Sequence, residues 1–162
     1  MNVPFGFGFT EIIIDIPDRN LSGILRANEI EKDSDESSII FNALNHPIDS
    51  KRLQEIAKPG EKIAIITSDI TRPMPSRKVL PFILSELKAA SIPDEDILIV
   101  FALGSHRPHT DEEKIKIVGE QIFVQYRCVD SVGEFVHLGT TEAGTPVDIF
   151  KPVADADRRI CL

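Results

Sequence analysis

Two short apolar runs dominate the hydropathy pattern. One is Ile63-Ala64-Ile65-Ile66, set between Lys62 and Thr67; the other extends from Ile97 to Leu103. Runs of this length without polar alternation predict strands buried on both faces. Between them, Val79, Leu80, Ile83, Leu84 and Leu87 recur at helical spacing, which predicts a helix from about Ser76 to Ala90. Pro81 falls inside that pattern, so it should kink the helix or lie in its first turns. Ser91-Ile92-Pro93 ends it. A strand–helix–strand unit of this kind predicts two parallel strands joined by a right-handed crossover.

The flanks read more weakly. Phe5 to Phe9 alternates phenylalanine with glycine, and Glu11 to Ile16 is rich in isoleucine before Pro17-Asp18, which predicts one or two strands of a small N-terminal β region. Glu29 to Ser37 is polar and acidic and reads as a loop. Ile39, Ile40, Ala43 and Leu44 then mark a helix, with Ser34 or Asp35 as its N-cap. Asp49 can cap a second short helix holding Leu53, Ile56 and Ala57, which Pro59-Gly60 stops. Thr110-Asp111-Glu112-Glu113 is a capping box, and Ile115, Val118 and Ile122 supply the apolar face of the helix it opens. Tyr126 to Val129 reads as a strand. Phe135 to Leu138 and Val147 to Phe150 read as two more, joined by the turn-rich Gly139 to Gly144 into a hairpin. Arg158 to Leu162 reads as the opening of another strand with no turn after it, which predicts a chain cut short, with an unfinished sheet edge prone to self-association. The expectation is an α/β fold in one domain over residues 1–162: a partly parallel sheet with crossover helices, a small N-terminal β region and a C-terminal hairpin.

Composition narrows the possibilities. The chain has 162 residues, 42% of them hydrophobic, enough for one folded domain with a core. A net charge of −8 argues against a general partnership with nucleic acid or anionic lipid, while a local basic site for a small anion stays open. Cys128 and Cys161 lie in no CxxC pair and read as reduced thiols of a cytoplasmic protein. The sequence shows no secretory pattern at its start and no apolar run approaching the ~20 residues of a membrane helix.

Candidate chemistry sits in the loops that follow the two buried strands, Ser68-Asp69-Ile70-Thr71-Arg72-Pro73 and Gly104-Ser105-His106-Arg107-Pro108-His109. In an open parallel sheet, loops at the carboxyl ends of neighbouring strands line one crevice. Arg72 and Arg107 can grip a carboxylate or phosphate through paired N–H donors. The helix start at Thr110 can add free N–H groups to the same place. Asp69 can accept from a hydroxyl or orient a cation, and His106 can exchange a proton near neutral pH. Against this stand plainer readings: a turn held by its own side chains, and Arg72 in a surface ion pair. His106 and His109 could suggest a metal pair, but Pro108 between them breaks helical spacing and no third ligand is near in sequence. His46 reads as a loop residue and His137 as structural or solvent-facing.

The stretch Ser68 to Ser76, followed by a helix, a strand and Gly104-Ser105-His106-Arg107-Pro108, resembles the N-terminal domain of the nickel-dependent lactate racemase family. Gly139-Thr140-Thr141, Gly144-Thr145-Pro146 and Val153 to Asp157 fit the same pattern, so the resemblance covers most of the chain and is sharpest from Ile63 to Asp157. It implies an isomerase that racemises or epimerises 2-hydroxy acids with a nickel-pincer nucleotide, by hydride transfer from the substrate Cα. It implies that His106 is one of two acid–base histidines. Asp69, Thr71 and Arg72 would then bind the cofactor, and Arg72 and Arg107 the substrate. In that family the cofactor-bonding lysine, the second acid–base histidine, the nickel-ligating histidine and a closing second domain come after the point corresponding to Leu162. The isolated chain is therefore expected to be inactive. Two other readings stay open: a non-catalytic module that binds an anion or phosphate, and a metal-dependent hydrolase using His106, His109 and Asp69.

Overall fold

A computed structural model describes residues 1–28 and 35–162. Most of the acidic stretch read as a loop, together with Ser34, lies outside them. The chain divides into two compact units, Met1–Asp33 and Ser34–Leu162. In the first, the Phe/Gly segment and the isoleucine run form an antiparallel hairpin of β1 (Asn2–Phe7) and β2 (Thr10–Asp15). Gly8 lies between them at φ +61°, a conformation that costs glycine little. The register sets Val3 opposite Ile14 and Phe5 opposite Ile12, so one face of the hairpin is apolar.

In the second unit, Asp35 caps α1 (Glu36–Asn45) by accepting from Ser38 N–H at 3.0 Å. The next helix, α2 (Leu53–Ile56), starts later than expected. Asp49 is not its cap but sits in left-handed backbone at φ +48°. Arg52 occupies the cap position, and Glu55 accepts its N–H at 2.9 Å, so the first turn is closed without Asp49.

The two apolar runs become β3 (Ile63–Ser68) and β4 (Ile97–Ala102), parallel neighbours in register from Ile63–Ile97 to Ser68–Ala102. The crossover is α3 (Ser76–Ala89), through which Pro81 passes without ending the helix. The helix expected to extend to Ile122 is instead two, α4 (Asp111–Val118) and α5 (Glu120–Gln125), because Gly119 takes φ +91° and breaks the ladder. They return the chain to β5 (Arg127–Asp130). Then β6 (Phe135–Thr140) and β7 (Pro146–Phe150) pair as the expected hairpin, with a register shift between His137 and Gly139. After the single turn of α6 (Lys151–Ala154), β8 (Arg158–Cys161) joins the main sheet. The sheet order is β5-β4-β3-β8, all parallel.

Alternate residues of the two central strands face the helices. Ile63, Ile65, Ile97, Ile99 and Phe101 pack with Leu80, Ile83, Leu87 and Val118 into one core. Leu80 and Leu87 are fully buried, each contributing about 1.5–3 kcal/mol over an exposed side chain. No helix among the described residues is long and apolar enough to cross a membrane.

The strand order fixes where a ligand can enter. From β3 the chain steps to β4 and then β5 in one direction, and returns to β8 on the other side of β3. The direction reverses at β3, and in open α/β sheets the crevice opens at the carboxyl ends of the strands at such a reversal. The loop carrying Asp69 and Arg72 leaves β3 at that end, and the loop carrying His106 leaves the adjacent β4.

Candidate active site

The β3 loop is built around a buried aspartate. Asp69 is 4% exposed, and its Oδ1 accepts from the Thr71 backbone N–H at 3.0 Å and from the Thr71 hydroxyl at 2.6 Å. This is an Asx turn, with the side chain standing in for a backbone acceptor. Arg72 N–H closes a wider turn on Asp69 O at 3.1 Å. Behind it, Thr67 and Ser76 share a buried hydroxyl–hydroxyl hydrogen bond at 2.6 Å, tying the end of β3 to the start of α3.

The β4 loop turns toward it. Gly104 adopts φ +60° inside a turn closed by His106 N–H on Leu103 O at 3.1 Å. The His106 ring then reaches Asp69, its Nδ1 against Oδ2. The Thr71 and His106 hydrogen bonds lower the Asp69 pKa from 3.8 to about 2. Asp69 is therefore an ionised acceptor near neutral pH, so Nδ1 of His106 carries the proton and donates. In the neutral ring Nε2 then carries the lone pair, and the His106 side chain is 47% accessible. The two loops meet over one pocket of about 370 Å³, lined by Asp69, Ile70, Thr71, Ser105, His106, Arg107 and His109.

The two arginines differ. Arg72 lines an adjoining recess of about 280 Å³ with Asp69, Arg77 and Lys116, and forms no ion pair among the described residues. Arg107 borders the His106 pocket, but its guanidinium donates to both carboxylate oxygens of Glu113, at 2.8 and 2.7 Å. That pair, with the Thr110 N–H, holds the Glu113 carboxyl down at about 2. The expectation that the start of α4 offers free N–H groups to an anion needs correction. The capping box forms, Thr110 accepting from Glu113 N–H at 3.3 Å, and Asp111, Glu112 and Glu113 fill the first turn, so three acidic side chains already occupy the positive end of the helix.

The lactate racemase N-terminal domain, as a family, matches residues 7–162. This chain belongs to that family. It is 34% identical over 163 residues to the lactate racemase of Thermoanaerobacterium thermosaccharolyticum, covering 96% of this chain and 38% of that protein. It is 35% identical over 152 residues to the lactate racemase of Lactiplantibacillus plantarum, covering 90% of this chain and 36% of that protein. The structure of the T. thermosaccharolyticum lactate racemase apoprotein superposes with a TM-score of 0.83 at 34% identity, over 99% of this chain and 38% of that one. The chain thus spans somewhat more than a third of the length of these relatives.

Two members of the candidate site were not singled out from sequence. Asp130, at the end of β5, accepts from His109 N–H at 3.1 Å and pairs with His109 Nδ1 at 2.6 Å. Glu113 holds Arg107. Asp130 carried no motif. It is simply the last residue of a short strand, and only the sheet order brings it beside β4. Glu113 was read as a capping residue, and its spacing of six from Arg107 gave no sign of the second bond. His109, weighed as a metal ligand, has both ring nitrogens engaged within the protein, the second by Ile70 N–H at 3.0 Å. His137 is solvent-facing and pairs with Asp148 at 2.7 Å, and His46 Nδ1 lies 3.1 Å from Asn42 O at the end of α1.

Proposed function

We propose that this chain is the N-terminal part of a racemase or epimerase of 2-hydroxy acids, in which His106 takes and returns the proton of the substrate hydroxyl. The observation that carries this reading is the Asp69–His106 pair. A buried ionised carboxylate faces one ring nitrogen, the other has no partner among the described residues, and the ring lines a pocket at the reversal point of the sheet. On this reading Nε2 accepts the hydroxyl proton, and the Asp69 carboxylate stabilises the imidazolium that forms. Arg72, with no carboxylate partner among the described residues, holds the substrate carboxylate or an anionic part of the cofactor. Arg107 keeps two N–H groups beyond those that meet Glu113 and Pro108, but Glu113 already pairs its charge, which makes Arg72 the stronger anchor. Thr71 fixes the Asp69 rotamer and lines the same pocket.

The nickel-pincer nucleotide implied by the family resemblance would, when bound, supply the acceptor and donor for the substrate's Cα hydride. The residues here fit an anionic nucleotide. Arg72, Arg77 and Lys116 line one recess beside Asp69. Among the described residues, no three His, Cys, Asp or Glu side chains converge as metal ligands, so nickel would take its protein ligands from outside them. The ring of His106 is nearly half exposed, and hydride transfer requires a water-excluded cleft, so this chain alone is expected to show no turnover.

The test is His106→Ala in the full-length protein. Loss of a positioned acid–base group costs about 10²–10⁴ in rate, so lactate racemisation should fall at least about a hundredfold with circular dichroism unchanged. Turnover near that of the unmodified protein would overturn the assignment. Arg72, without an ion pair among the described residues, also suits a module that only binds anions, but such a module has no use for the Asp69–His106 pair.

A further inference from the structure

Beneath the Asp69–His106 pair lies a second carboxylate–imidazole pair that the proposed chemistry does not touch. His109 is buried, with 2% of its side chain exposed, and its ring stands edge-on to Phe101 at 5.3 Å between centroids. Its surroundings fix its tautomer. Ile70 N–H can only donate, and it meets Nε2 at 3.0 Å, so Nε2 carries the lone pair. The proton is then on Nδ1, donated to Asp130 Oδ1 at 2.6 Å. The other oxygen of Asp130 accepts from His109 N–H at 3.1 Å and lies 3.5 Å from Lys114 Nζ, which fixes the carboxylate in place. Ile70 N–H is the peptide group directly after Asp69. It lies between the residue whose carboxylate faces His106 and the residue that holds that carboxylate, Thr71.

We propose that His109, held by Asp130, is a positioning residue. By holding the Ile70 N–H it fixes the 69–71 turn, and so sets which nitrogen of His106 is protonated and where the free one points. The bonds form a continuous line: Asp130 to His109, His109 to Ile70, the Ile70 peptide to Asp69, and Asp69 to His106. It joins the carboxyl ends of β5, β4 and β3, so the aim of the exposed histidine is tied to the register of three strands. The N–H of half-buried Ile70, left without its buried acceptor, would draw the turn toward water and swing Asp69 with it.

Two variants separate the bonds. In His109→Gln the amide oxygen stands near the place of Nε2 and still accepts from Ile70, while the link to Asp130 weakens. In His109→Asn the shorter amide can still donate to Asp130 but leaves Ile70 N–H unmet. Nitrogen-15 NMR of the imidazole rings of the 162-residue chain reads the tautomer of His106. We expect His109→Gln to keep the Nδ1–H form. We expect His109→Asn to shift His106 toward the Nε2–H form by about tenfold, the change that follows from weakening one charge-assisted bond. A His106 tautomer unchanged in folded His109→Asn, or lost equally in both variants, would overturn the proposal. If His109→Asn does not fold, Asp130→Asn takes its place, since it keeps the ring but removes the acceptor that fixes its proton; an unchanged His106 there overturns the proposal as well. The relevance to catalysis rests on His106 being the acid–base residue, but this readout involves no turnover. Should His106→Ala remain active while His109→Asn shifts His106, the racemase role would fall and the positioning would stand.

Discussion

The most discriminating substitution is Asp69→Asn. Thr71 offers Asp69 Oδ1 two donors, its N–H at 3.0 Å and its hydroxyl at 2.6 Å. The N–H is an obligate donor, so the amide oxygen of an asparagine must take the Oδ1 place. Its NH₂ group then falls where Oδ2 faced His106 Nδ1. An amide donor facing Nδ1 forces the ring to present a lone pair there and to carry its proton on Nε2. On the proposed reading, the acceptor for the substrate hydroxyl disappears, although shape and packing are nearly unchanged. The thermodynamic loss is modest. A carboxyl held at about 2 rather than 3.8 corresponds to at most about 2.5 kcal/mol, discounted to about 1 kcal/mol for solvent at the pocket mouth. The kinetic loss is larger. Reversing the tautomer of a catalytic histidine in this way costs about 10⁴ in a serine protease, and about 10²–10⁴ is expected here. The assay is lactate racemisation by the full-length protein, followed through the enantiomer ratio, with the fall in kcat and little change in KM. If kcat stays close to wild type while imidazole NMR shows His106 in the Nε2–H form, the tautomer argument is wrong.

Other consequences follow from single features of the structure. Because the Asp69 pKa is depressed, its contribution to stability is complete above the ordinary carboxylate range and is lost as pH falls through the interval between 3.8 and about 2. Urea melts across that interval should show a smaller acid loss in Asp69→Asn than in the parent, and equal losses would contradict the assignment. Leu87→Ala removes a fully buried side chain of α3 and should lower stability by about 2–5 kcal/mol, measured as a shift of the urea midpoint at constant m. Burial pushes the Cys128 thiol up to about 11, whereas Cys161 is exposed on β8. A thiol reagent near neutral pH should label Cys161 alone in the folded chain, and prompt labelling of both would mean that β5 is not packed as described.

The parts of the fold that could be read from sequence are those where one physical signal acts alone. Ile63 to Ile66 and Ile97 to Phe101 are apolar without alternation because the face away from the helices is at least partly covered too, with Ala64 and Val100 buried and Ile66 and Leu98 half-buried, and that pattern has few other meanings. The helix from Ser76 was legible because Leu80, Ile83, Leu84 and Leu87 all turn toward the same strands. Failures arose where two signals competed. Asp49 had the right chemistry for a cap, but Arg52 and Glu55 close the same helix one turn later. The apolar spacing from Ile115 to Ile122 continued through Gly119, whose backbone does not. The site divides in the same way. Asp69, Arg72 and His106 share two sequence-local loops, and the parallel pairing of β3 with β4 suffices to bring the loops together. Asp130 was out of reach, because its place depends on β5 pairing outside β4, a tertiary fact that leaves no mark on the residue itself.

The candidate site also shows how a side chain can be kept exposed without being loose. Accessibility stays low along the bonded line, at 8% for the Asp130 side chain, 2% for His109 and 3% for Asp69, and then jumps to 47% at His106. A buried polar group costs about 1–3 kcal/mol when it lacks a partner. Each buried member here has its partners: Asp130 from the His109 ring and backbone, His109 from Ile70, and Asp69 from Thr71 and His106. Rotating any one of them would leave at least one other unmet, so the interior holds a single arrangement. Among the described residues, the His106 ring is bound to that arrangement through Nδ1. Its remaining nitrogen therefore has a fixed direction although nearly half of the side chain is accessible, which is the property a proton-exchanging group needs when the substrate must reach it from solvent.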